Sequence, residues 1–220
     1  MSENKRVYLD NASTTQTDSR ALDAMHLCES KYFGNPSSLH SCGTEAKEVL
    51  NNLRSKLAGF INAESEEIIF TSGGTEANNF ALKGVAFANK DKGKHIIVSS
   101  IEHDCMLNTC HWLETQGFYV SYLSVDENGF VDLNKLQALI NPQTILVSVM
   151  HANNEIGTIQ PIAEAGRLCK EKNIPFHTDA CQSFGKIPID VVGQHISLMT
   201  LNSHKIHGPK GVGCLFLKKG

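Results

Sequence analysis

Apolar residues in this chain fall in short continuous runs, separated by stretches with helical periodicity. Ile68-Ile69-Phe70 is the first such run, and others lie at 95–100, 118–125, 144–152, 175–180, 197–202 and 212–217. These runs do not alternate with polar residues, so each predicts a strand buried on both faces. Between them, apolar residues recur every three or four positions. Ala77, Phe80, Ala81 and Val85 form one stripe of a helix predicted over 76–90, and further helices are expected over 103–116, 132–140 and 162–172. Upstream, 18–33 and 44–60 read as two more helices, the first closed by Gly34. Strands alternating with helices of about 10–15 residues predict a parallel sheet with helices on both faces. The last two strands break the rhythm. A Gly/Pro/Lys turn alone joins 197–202 to 212–217, too short for a parallel crossover, so they should pair antiparallel. The expected fold class is α/β: three layers around a mostly parallel sheet with one antiparallel strand.

Composition narrows the function classes. A chain of 220 residues that is 41% hydrophobic and 20% charged suits a globular protein with a sizeable core, not a disordered, collagen-like or coiled-coil one. The net charge of −3 gives no footprint for nucleic acid or an anionic membrane. No apolar run approaches the roughly 18 residues of a membrane span. The polar start, Met-Ser-Glu-Asn-Lys-Arg, does not resemble a signal peptide, which predicts a soluble, cytoplasmic chain. Seven cysteines (28, 42, 105, 110, 169, 181, 214) without C-x-x-C spacing fit reduced thiols better than disulfides or structural zinc. The ten histidines show no metal-ligand spacing and no H-E-x-x-H, so no metal is expected and a metal hydrolase has no ligand set behind it.

Three short stretches carry candidate chemistry. The loop Thr71-Ser72-Gly73-Gly74-Thr75 joins a predicted strand to a helix. Glycines let backbone approach a ligand, and the following helix start offers free N–H groups to a phosphate. Without a G-K-[ST] continuation it is not a P-loop, and a tight ligand-free connection is the plain alternative. His177-Thr178-Asp179-Ala180-Cys181-Gln182 places a carboxylate at the end of an apolar strand, where α/β sheets present ligand groups. The plain alternative there is an N-cap. In Asn202-Ser203-His204-Lys205, followed by Gly208-Pro209-Lys210-Gly211, a lysine closing an apolar strand is a candidate desolvated amine for Schiff-base chemistry, or else a surface lysine opening a turn. A phosphate cradle, a buried carboxylate and a Schiff-base lysine are together what pyridoxal phosphate requires.

The sequence resembles the cysteine desulfurases of the class V aminotransferase family. The resemblance rests on Tyr8-Leu9-Asp10-Asn11-Ala12-Ser13-Thr14-Thr15, Phe33-Gly34-Asn35-Pro36-Ser37-Ser38, Phe70 through Asn78, Glu102-His103, His151-Ala152-Asn153-Asn154-Glu155-Ile156-Gly157, Asp179 to Gln182 and His204 to Gly211. It implies a pyridoxal-phosphate enzyme of the aspartate-aminotransferase fold. Lys205 would carry the cofactor as a Schiff base and shuttle the substrate α-proton, and His103 would stack on the ring and assist. Asp179 would pair with the ring nitrogen and Gln182 with the ring oxygen. Gly74, Thr75, Ser203 and His204 would hold the phosphate. Asn154 would lie beside the ring and the substrate carboxylate, with Asn11 helping to enclose the substrate. The resemblance places serine where this chain has Asn202, whose amide can still donate to phosphate.

By the same resemblance, residues 1–15 would pack near the active site, 16–220 would form an incomplete cofactor-binding domain, and a carboxy-terminal small domain would be missing. The implied reaction removes sulfur from L-cysteine, leaving alanine and an enzyme persulfide for a sulfur-acceptor or scaffold protein of iron–sulfur cluster assembly or RNA thiolation. The family's attacking cysteine and its substrate-gripping arginine lie well beyond the lysine. Cys105 and Cys181 are the thiols near enough to be asked whether they substitute; both are expected to be packed bystanders. The family is homodimeric at full length, so uncovered apolar surface is expected here. A selenocysteine or cysteine lyase on the same scaffold, and a catalytically incomplete interaction fragment, are the competing readings.

Overall fold

The computed structural model describes residues 7–219, so Met1–Arg6, on which the signal-peptide expectation rested, lie outside the described residues. Seven strands form one sheet: β1 (Ile68–Thr71), β2 (His95–Ser99), β3 (Tyr119–Leu123), β4 (Thr144–Ser148), β5 (Phe176–Asp179), β6 (Leu198–Asn202) and β7 (Gly213–Leu217). Their spatial order is β1-β7-β6-β5-β4-β2-β3. Strands β2 to β6 run parallel, and β7 runs antiparallel to both its neighbours, β6 and β1. The short turn after β6 therefore has the predicted effect.

Six helices accompany the sheet: α1 (Ser19–Lys31), α2 (Ser41–Gly59), α3 (Gly74–Ala88), α4 (Asp104–Thr115), α5 (Leu133–Leu139) and α6 (Ile162–Glu171). Two cores lie on opposite faces of the sheet. Ala77, Ala81, Leu82, Met106, Cys110 and Leu113 from α3 and α4 cover Ile96, Val98, Leu146 and Leu215. Leu136, Ile162, Ala165 and Cys169 from α5 and α6, with Ala58 and Ile61, cover Ile97, Val147, Phe176, Met199 and Phe216. The central strands β2, β4, β5 and β6 are buried along their whole length, as their unbroken apolar runs require.

Several expectations need correction. Strand β3 is an edge strand with Tyr119 and Tyr122 partly in solvent, so its run is not buried on both faces. Phe80, assigned to the core stripe of α3, is 49% exposed. Helix α1 ends at Lys31, its cap Tyr32 bonding back to Cys28. Gly34 serves not as a left-handed cap but for close approach: a Cβ there would lie 2.3 Å from the carbonyl oxygen of Cys42. Helix α2 begins three residues early because the His40 ring accepts the N–H of Gly43 and caps it. Helix α1 buries none of its residues, and Leu9, Phe33, Leu39 and Phe60 are largely exposed. Among the described residues no helix is long and apolar enough to cross a membrane.

Candidate active site

A cavity of about 480 Å³ opens at the carboxyl ends of the parallel strands, where α/β sheets present ligand-binding groups. Each wall comes from a different element. The first turn of α3 supplies Gly74 and Thr75, and the turn after β2 supplies His103. Asn154 follows β4, Asp179 ends β5 with Gln182 beyond it, and Asn202 ends β6 with His204 and Lys205 beyond it. Asp10, Ala12 and Ser13 of the amino-terminal segment close one side. Lys205 is half-buried and sits in the turn beyond β6 instead of ending the strand.

Asp179 is the electrostatic centre. The carboxylate is 6% exposed, and burying it requires donors. Asn78, from α3, donates to Oδ2 at 2.7 Å, and the Cys181 N–H donates to Oδ1 at 2.9 Å. A turn and not a helix follows Asp179, so the N-cap alternative is not formed; a local turn bond and a long-range amide hold the carboxylate instead. Directly behind Asp179 in β5, His177 is wholly buried between the hydroxyls of Ser148 and Thr200, at 2.8 and 3.1 Å. Burial holds it down to about 4, against the opposing pull of Asp179. Glu102 is buried as well: Oε1 accepts the Met150 N–H at 2.5 Å, while Oε2 has no partner. Burial, reinforced by the charge of Asp179, pushes this carboxyl well above the ordinary range.

The cavity floor is shaped by close approach. A Cβ on Gly74 would lie 2.7 Å from Cys181 Sγ, so glycine lets the helix start meet the turn after β5. Helix α3 opens at this point with no side-chain cap, leaving first-turn N–H groups for an anion. His103 caps α4, its Nδ1 accepting the Cys105 N–H at 3.1 Å. Asn202 and Asn78 each have a buried side-chain oxygen without a protein partner, in residues lining the cavity. Orphaned polar atoms around a cavity are what a bound polar group would satisfy. Burial raises both cavity thiols, Cys181 well above the ordinary thiol range and Cys105 less so.

Two sequence-predicted residues stand apart from the wall. Ser203 turns its hydroxyl onto the carbonyls of Pro209 and Val212, and Asn11 does not line the cavity although both its neighbours do. Gln182 lines it, with Nε2 donating to the carbonyl of Ala12 at 2.7 Å. Sequence reasoning assigned no role to Asn78, Glu102, Asn153 or Thr15. Asn153 accepts the N–H groups of Glu155 and Ile156 and donates to the carbonyl of Ile101. It thereby joins the segment bearing Asn154 to the turn bearing His103. All four residues stand inside the stretches that carry the resemblance, which was the available signal.

The sequence matches the aminotransferase class-V family over residues 7–220. The cysteine desulfurase IscS of Methanosarcina thermophila is 53% identical over 218 residues, 99% of this chain and 54% of the relative. The putative cysteine desulfurase IscS 1 of Bacillus subtilis is 50% identical over 215 residues, 98% of this chain and 57% of that one. Among solved structures, a NifS-like protein superposes with a TM-score of 0.94 at 41% identity, covering 98% of this chain and 60% of the other. A structure described as SspA in complex with cysteine gives a TM-score of 0.93 at 42% identity, covering 96% and 61%. This chain spans about half the length of the curated relatives it matches.

Proposed function

The chain belongs to the class V aminotransferase family, and on that premise we propose that it provides the cofactor-binding part of a pyridoxal-phosphate cysteine desulfurase. The observation that carries this reading is the buried Asp179 carboxylate, held by Asn78 in a cavity that also presents Lys205 and His103. The residues present fit the cofactor: an amine, a fixed carboxylate, an uncapped helix start with Thr75, and two orphaned amide oxygens stand around one cavity.

When bound, pyridoxal phosphate supplies an electron sink for the carbanion formed at the amino-acid α-carbon. Lys205 Nζ would hold the cofactor and move the α-proton of L-cysteine. Asp179 would keep a proton on the ring nitrogen, because a buried carboxylate favours a cation beside it. Thr75, Gly74 and the N–H groups opening α3 would hold the phosphate, with Asn202 and His204 alongside. His103 and Asn154 would flank the ring, with Gln182 at its oxygen. Sulfur transfer needs a thiolate. Burial keeps Cys105 and Cys181 in the thiol form, so the accepting cysteine would come from outside this cavity. A sulfur-acceptor or scaffold protein, homodimerisation and a cytoplasmic location complete the reading.

An absorbance spectrum of the purified chain with pyridoxal phosphate, beside Lys205→Ala, tests it. A visible band that disappears in the variant and shifts on adding L-cysteine is expected. A folded, soluble chain without that band would overturn the cofactor reading.

A further inference from the structure

The turn that carries Lys205 is held from the far end of the chain. Within this turn His207 has a φ of 61°, a left-handed conformation that a histidine keeps only where its surroundings over-determine it. Those surroundings are the residues from Thr15 to Asp18. The Thr15 N–H and the Thr15 hydroxyl both donate to the carbonyl of His204, each at 2.8 Å. The same hydroxyl accepts the N–H of His207 at 2.8 Å. Asp18 N–H donates to the carbonyl of His207 at 2.9 Å, and the His207 ring meets the carbonyl of Gln16 at 3.1 Å. Thr15 is 7% exposed, so water competes poorly for these bonds.

One hydroxyl therefore ties the residue before Lys205 to the residue two after it, and it does so at the strained position. We propose that Thr15 is a positioning residue for Lys205: its hydroxyl fixes both ends of the lysine turn and so sets where the amine stands in the cavity. The proposal rests on the reading of Lys205 as the reactive amine. The role needs an atom that donates to a carbonyl and accepts from an amide at once, which serine retains. Valine keeps the shape of threonine and loses both bonds.

The test compares the parent chain with Thr15→Val and Thr15→Ser by two readouts. Amide hydrogen exchange without cofactor follows His207 and Thr15. Borohydride trapping of pyridoxal phosphate, read by peptide mass spectrometry, follows attachment at Lys205. In the parent, the two amides should be protected and open together. In Thr15→Val, His207 should exchange at least about tenfold faster and trapping at limiting cofactor should fall several-fold, while Thr15→Ser stays near the parent. An unprotected His207 in the parent, or a valine variant matching the parent in both readouts, overturns the proposal. If the valine variant does not fold, exchange in the parent decides. A parent that traps nothing at Lys205 while His207 protection is lost in Thr15→Val would sink the cofactor reading and leave the clamp standing.

Discussion

The side-chain amide of Asn78, in the second turn of α3, donates to Asp179 Oδ2 at 2.7 Å across 101 positions of sequence. This bond joins the helix whose start is the candidate phosphate site to the strand that presents the carboxylate. It lets a charge sit against the sheet core without an ion pair. Among the described residues Asp179 is in no ion pair, so a protonated ring nitrogen would add a charge partner to its amide donors.

Asn78→Ala should therefore destabilise the chain by about 1–3 kcal/mol, the cost of stripping a donor from a buried acceptor. Asn78→Asp should cost more, because it sets a second carboxylate against the first. Urea denaturation at pH 7 measures both. An alanine variant with an unchanged midpoint would mean that water replaces the amide at no cost.

Glu102 and His177 make stability depend on pH in opposite directions. The folded state keeps a proton on Glu102 that the unfolded chain releases above its ordinary value of 4.5, so this group's contribution falls as pH rises from there. His177 has the reverse sign: the unfolded chain binds a proton near 6.5 and the folded one only near 4, so stability is lost as pH falls through that window. Glu102→Gln keeps an oxygen for the Met150 N–H. Its stability relative to the parent should climb as pH rises above the ordinary carboxylate range, because only the parent must keep or lose the buried proton. His177→Gln should flatten the loss between about pH 6.5 and 4. Denaturation midpoints across pH check both; parallel curves for parent and variant would remove the residue concerned from this account.

Gly74→Ala should bring a methyl group against Cys181 and weaken cofactor binding by about tenfold, the overpacking effect at a site that must also hold a ligand. Removing the opposing sulfur relieves it, since the next atom, Asn202 Nδ2, lies 3.7 Å from that Cβ. The Gly74→Ala, Cys181→Ala double variant should therefore recover most of the lost affinity in an absorbance titration with pyridoxal phosphate. A double variant no better than the single one would place the damage elsewhere.

The sheet was legible because its buried strands are written as unbroken apolar runs, and its antiparallel strand because a short turn leaves no other geometry. Asp179 at the end of β5 and Lys205 in the turn beyond β6 were legible as candidates for a related reason: they are polar residues where the pattern calls for apolar ones or a plain turn. Phe80 and Tyr119 were misread because periodicity shows which residues share a face, not what lies opposite that face. Asn78, Glu102 and Thr15 were invisible as partners because each acts on a segment that only the folded chain brings near. An asparagine four residues into a helix looks like any surface asparagine until Asp179 is seen beneath it.

The place of β1 carries a consequence for how the chain comes to fold. It is the first strand made and it lies at the edge of the sheet, its one strand neighbour being β7, the last. No ladder can form on β1 until residues 213–217 exist, some 140 positions later. At synthesis rates of about 5–20 residues per second that is a wait of roughly 7–30 seconds. Throughout it, Ile68, Ile69 and Phe70 remain without their strand partner, while the parallel centre can already assemble from β2 onward. Closing the edge is a late, long-range step of the kind that slows folding and exposes unpaired strands to aggregation. A nascent chain stalled before β7 would present β1 to chaperones or to other chains.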